Sequence, residues 1–198
     1  MSLAEQKTQF GQIVQIAQKY LINTIFDTVN SLLGVVIGLY FADEQNPFIF
    51  IMAIISTGVA LGISSGTSIY EAESLEQKSE LQELNKHLAT DLTSKNPMTL
   101  KKIKRIGLII GLLNFFTPLL IAIVYVLLIS LIPSLAIAFW SIIGGSIFFL
   151  FGSGVYFGKK NNLPPLKQGL RMLLIGTMTF VIVYAIGVIF YNFKQILS

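Results

Sequence analysis

Long apolar stretches alternate with short polar ones along this chain, and the apolar stretches predict its elements. Residues 20–41 are apolar apart from Asp27 and a few small polar side chains. After the short polar run ADEQNP comes a second apolar stretch, 48–70. Residues 106–158 contain no charged side chain, and 170–193 form a last apolar stretch. A membrane span takes about 20 mostly apolar residues, and a charge at its centre costs roughly 3 kcal/mol or more. At 1.5 Å per residue, a helix over 106–158 would measure about 80 Å, too long for one crossing. Pro133 and Ser134, in SLIPSL, divide it into two spans. The pattern predicts an all-α, polytopic membrane protein with five transmembrane helices.

Two segments depart from that rule. In residues 1–19, Phe10, Ile13, Val14 and Ala17 share one helical face and polar residues take the rest. That predicts an amphipathic helix lying at the membrane interface. Spans one and two fill 20–70. Residues 71–105 then form a polar segment, an acidic helical extension of the second span with no proline before Pro97. Spans three to five fill 106–193.

Composition agrees and adds direction. The 198 residues are 54% hydrophobic and only 12% charged. No cysteine is present, which excludes disulfides and thiolate metal sites. The opening MSLAEQKTQF lacks the basic start and short apolar core of a signal peptide. Lysine and arginine collect on the cytoplasmic side of membranes. With the N-terminus inside and the C-terminus outside, all of the 14 basic residues except Lys194 lie inside. The acidic segment is then cytoplasmic. The cluster KKIKR at 101–105 sits at a membrane edge, where anionic lipid rather than nucleic acid is the expected partner. One histidine, no phosphate-binding glycine loop and no carboxylate pair within a span argue against an enzyme.

Two sets of polar residues carry candidate chemistry. Each helical residue turns about 100°, so Glu73, Glu76, Glu80, Glu83 and His87 fall within an arc of roughly 80°. Lys78 and Lys86 point elsewhere, and Leu81, Leu84 and Leu88 form an apolar stripe alongside. Carboxylates suit hard divalent ions, and a histidine shifts the preference toward iron, manganese or zinc. A solvated helix face is the plainer alternative.

The second set lies within the spans. Asp27 is the only acid inside any of them, and an intramembrane carboxylate is a functional candidate by default. Asn30 lies one turn on. Ser64, Ser65, Thr67 and Ser68 in span two, and Asn114 and Thr117 in span three, fall at comparable depth. Side-by-side packing would gather Asp27, Asn30, Ser64, Thr67 and Asn114 into a polar pocket in the inner half of the membrane. The alternative is a set of ordinary interhelical hydrogen bonds. Gly34 and Gly38, Gly58, Gly62 and Gly66, and Gly107 and Gly111 repeat at the GxxxG spacing that lets helices approach closely, within one chain or between two.

With these residues in view, the chain resembles the vacuolar iron transporter family over most of its length. DTVNSLLGVVIGL is similar to the family's opening span, with Asp27, Ser31, Gly38 and Leu39 at the family's motif positions. NFFTPLL and PLKQGLRMLLIGTMTFVIVYAIG look like its third and last spans. The resemblance implies a homodimer, with no tightly bound cofactor, that exports Fe²⁺ or Mn²⁺ from the cytoplasm in exchange for protons. Asp27 would be a pathway ligand and Glu73 to Glu83 a capture row feeding it. In the second span Ile63 and Thr67 stand where the family carries methionine and glutamate. A non-transporting protein that binds metal or a partner through the acidic helix is therefore the alternative. The compact length and the family's spread point to a prokaryotic plasma membrane.

Overall fold

The structure, a computed structural model, describes residues 3–88 and 97–197, with side chains over 16–79, 82–83 and 105–192. Among the described residues there are five α-helices and no strand: α1 Leu3–Phe41, α2 Pro47–Leu88, α3 Pro97–Leu131, α4 Leu135–Lys160 and α5 Pro165–Leu197. Each is long and apolar enough to cross a membrane, so the chain is an integral, multi-pass, all-helical membrane protein. Hydrocarbon offers no partner to a bare backbone N–H or C=O, and a helix satisfies both within itself. The break expected at Pro133 and Ser134 lies between α3 and α4, with Ser134 as N-cap.

Among the described residues, the segment before span one is helical and runs on into it. α1 is a single helix of 39 residues, about 58 Å long at 1.5 Å per residue. No proline or glycine pair interrupts the helical pattern near Lys19, so the backbone has no reason to stop there. α2 likewise runs for 42 residues, and the acidic segment to Leu88 continues its span without interruption.

Of the three connections whose backbone is described, two, α1 to α2 and α4 to α5, are closed by the same device. At the end of α1, Asp43 takes a left-handed backbone, φ 64°. The Glu44 N–H then bonds the Leu39 carbonyl and the Asp43 N–H bonds that of Tyr40, both at 3.2 Å. At the end of α4, Asn162 adopts φ 55°. The Leu163 N–H bonds the Gly158 carbonyl at 2.9 Å and the Asn162 N–H bonds that of Lys159 at 3.4 Å. Aspartate and asparagine tolerate this conformation better than other side-chain-bearing residues. The paired bonds satisfy carbonyls that the helix end would otherwise leave bare. Pro47 and Pro165 then open α2 and α5 at the first helical position, where a missing N–H costs nothing. Asn46 caps α2 by accepting the Phe48 N–H at 3.0 Å.

The chain divides into two compact units. Unit 1 comprises residues 1–24 and 61–117, and holds a small cluster of Ala17, Ile69 and Ile110 flanked by Ile16, Tyr20 and Ile106. In it α2 and α3 touch almost backbone to backbone. A Cβ on Gly62 would stand 2.7 Å from the Phe115 carbonyl oxygen, and one on Gly111 2.8 Å from that of Gly66. Unit 2 comprises residues 25–60 and 118–198. Its larger core includes Leu32, Leu33, Val36, Ile37, Phe139 and Leu150, all at most 1% exposed. There the Tyr40 ring stacks on Phe139 with centroids 4.0 Å apart. Gly58 meets Ala122, and Gly154 and Gly158 admit the backbone of α5.

The glycine repeats thus resolve into two kinds. Those of α2 and α3 are consumed by packing within the chain. At Gly34, Gly38 and Gly144 an added Cβ would meet nothing within 4 Å, so these glycines line open faces. Gly62→Ala is expected to destabilise the protein by about 1–3 kcal/mol, as overpacking does. Gly144→Ala should leave stability unchanged or raise it slightly, by the helix propensity of alanine. Unfolding of the two purified variants in mild detergent, beside the wild type, checks the contrast.

Candidate functional site

Unit 1 contains buried polar groups, but in a different arrangement from the expected pocket. Asn114 is fully buried. Its amide nitrogen donates to the Ile110 carbonyl one turn back, at 2.9 Å. Its Oδ1 accepts the Thr24 hydroxyl at 2.7 Å, joining α3 to α1. Ser64 and Thr67 do not join them, because both are exposed. Gly62 and Gly66 face α3, and Ser64, two residues from each, lies on the opposite side of α2. Ser68 donates to the Ser65 carbonyl at 3.3 Å, and Thr117 to that of Leu113 at 2.8 Å, so both bond to their own helices. Thr24, which the polar pattern of the spans does not single out, is the partner of Asn114. Nothing in a one-dimensional pattern pairs residues 90 positions apart.

Asp27 and Asn30 belong to unit 2. Asp27 is exposed on α1, within the span. Asn30 is half-buried. Its amide nitrogen donates to the Phe26 carbonyl at 3.0 Å, while its buried Oδ1 has no partner. At 100° per residue, Asp27, Gly34 and Gly38 fall within an arc of about 40°, with Ser31 beside them. One face of α1 therefore carries a carboxylate above two bare glycines.

The acidic row of α2 is not uniform either. Glu73 is only 3% exposed. Gln77, one turn on, donates to its Oε1 at 2.5 Å. The Tyr20 hydroxyl of α1 faces the Glu73 and Glu76 carboxylates. Glu76 and Glu83 are exposed. The helical wheel places Glu73 with its neighbours in the row, but α1 passes over its end of α2 and covers it. A buried carboxylate must be hydrogen-bonded, and Tyr20 and Gln77 are placed to serve it. Tyr20 is thus a second residue that the hydropathy pattern marks only as a span boundary. The side chains of Glu80 and His87 lie outside the described residues. Among the described residues, no three His, Cys, Asp or Glu side chains converge on one point.

No protein-family model matches the chain, and no curated protein sequence matches it. The Thr24–Asn114 bond ties α1 to α3 in unit 1 through side chains on both helices. A double-mutant cycle with Thr24→Val and Asn114→Leu is expected to give a coupling of about 0.6 kcal/mol, the mean for such bonds in membranes. Denaturant titration in micelles measures it, and a coupling of zero would mean that the bond contributes nothing.

Proposed function

We propose that the chain is a divalent-cation transporter that works as a homodimer and exports Fe²⁺ or Mn²⁺ from the cytoplasm in exchange for protons. The observation that carries this reading is Asp27, a carboxylate exposed inside an apolar span on the face that bares Gly34 and Gly38. A carboxylate left facing lipid costs about 3 kcal/mol. A second copy packed on this face would remove it from lipid, and bare glycines permit the close approach. Two-fold symmetry would then bring two Asp27 carboxylates to one contact. Carboxylate oxygens ligate divalent cations, and protons compete for the same oxygens, which couples the two fluxes. The unpartnered Asn30 Oδ1, about one turn along, supplies a further oxygen.

The lysine and arginine distribution supports a cytoplasmic N-terminus and hence a cytoplasmic extension of α2. The exposed Glu76 and Glu83 there would gather cations near the entrance. A second reading, a non-transporting membrane protein that binds metal or a partner through the extension, is favoured by one observation. Ile63 and Thr67 both lie exposed on α2 where the resembled family has its methionine and glutamate ligands.

Flux of Fe²⁺ and Mn²⁺ into proteoliposomes, with and without a pH gradient, separates the readings. Saturable, gradient-dependent flux is expected in the wild type. Asp27→Asn should lower it by at least about tenfold, the loss of a ligand that acts in every cycle. Glu76→Gln combined with Glu83→Gln should raise the apparent KM several-fold with kcat little changed. Wild-type flux in Asp27→Asn overturns the mechanism. Absence of flux, with metal still bound by the purified protein, selects the second reading.

A further inference from the structure

We propose that unit 2 carries a binding site for one anionic phospholipid, with an acyl chain in a groove on α4 and the phosphate at Lys159 and Lys160. This inference is independent of the transport reading. The groove has a volume of about 630 Å³ and is formed by α1, α3 and α4. Val29, Val124, Leu128 and Phe149 are among the apolar side chains that line it. Its floor is open because Gly145 and Gly152 have no side chain and nothing lies within 4 Å of where one would be. The polar pair inside, Tyr125 and Ser146, is already satisfied. The two hydroxyls bond each other, and Ser146 also donates to the Ile142 carbonyl. The site therefore has the chemistry of a hydrocarbon slot.

Its length and its end name the occupant. The α4 residues lining it run from Ile142 to Phe157, about 22 Å along the helix at 1.5 Å per residue. One leaflet of hydrocarbon is about 15 Å thick, so a single acyl chain fits along it. Tyr156 and Phe157 are the last α4 residues lining the groove, and the Lys160 ammonium sits over the Tyr156 ring, 5.9 Å from its centre. Lys159 and Lys160 form the last turn of α4, and the left-handed turn at Asn162 then returns the chain into α5. Lys167 and Arg171 follow, both exposed, and no Asp or Glu occurs after Asp91. Cations at the end of an apolar slot match a headgroup phosphate above an acyl chain. A helix of a second copy would fill the slot without answering those charges.

The test uses the full chain in vesicles that contain traces of phosphatidylglycerol or phosphatidylcholine with the same photoactivatable acyl chain. Labelled residues are mapped by mass spectrometry. Labelling is expected at the groove, with phosphatidylglycerol favoured. Lys159→Gln with Lys160→Gln should cut that preference by roughly fivefold per lysine lost, the weight of one cation near an anionic surface. Gly152→Leu should lower labelling by both lipids, because its side chain enters open space and fills the slot. An unfolding midpoint near wild type identifies a folded variant, and Gly145→Leu repeats the test at a second position. Equal labelling by the two lipids in the wild type overturns the proposal. Unchanged labelling in both glycine variants does so as well. Chain-to-chain cross-links at these residues in place of lipid label would assign the groove to a second copy instead.

Discussion

The near-contact of backbones between α2 and α3 is the constraint on which the rest of the structure depends. Lipid tails are as apolar as leucine, so no hydrophobic force drives two helices together inside a bilayer. What remains is packing, and packing is best where side chains do not hold the backbones apart. Gly62, Gly66 and Gly111 provide that condition in unit 1, and Gly58 does so against Ala122 in unit 2. Once that seam is closed, the faces of both helices are assigned. Ile69 and Ile110 turn into the cluster of unit 1, while Ser64 and Thr67 are left outside it. The same seam frees α3 to offer Asn114 to Thr24 and thus to tie in α1.

Most buried polar groups are partnered, the Asn30 Oδ1 being an exception, and each arrangement has a consequence for chemistry. Asn114 is satisfied from both ends by Ile110 and Thr24 and is poorly placed to leave its partners for an ion. Glu73 is shielded by α1, with Gln77 and Tyr20 beside it. Asp27 stands apart: it lies in a span and yet faces outward. A carboxylate facing hydrocarbon costs about 3 kcal/mol, a cost that the proposed contact with a second copy would relieve. The strongest functional signal in the molecule is this unsolved exposure, rather than any assembled cluster of ligands.

The helix ends organise the charges. Asp43 and Asn162 close their turns with the same pair of backbone bonds, and proline starts the following helix in each case. Ending α4 this way sets Lys159 and Lys160 in the last turn, where cations also complement the helix dipole. They stand next to the end of the apolar slot that Gly145 and Gly152 leave open. α5 contributes little to the core and is mainly exposed, and its first two turns add Lys167 and Arg171 at the surface. A capping motif, a pair of glycines and a bias in charge thus converge on one edge of unit 2.

The membrane class and the number of apolar helices are legible in the unfolded chain. Those features rest on local physics: the length of an apolar run, the punctuation of ADEQNP and of Pro133, and the refusal of hydrocarbon to solvate a backbone. Asp27 is legible too, because one acid in an apolar run is visible without any fold. Which glycines are spent on contacts and which are bare emerges only when the helices pack, since GxxxG spacing is identical in both cases. The meetings of Thr24 with Asn114 and of Tyr20 with Glu73 belong to the packed state as well, because these pairs are far apart in the chain and hydrogen bonds carry no sequence signature. A helical wheel ranks residues around one helix. Which arc becomes interior depends on the neighbouring helix, and that is a property of the packed chain alone.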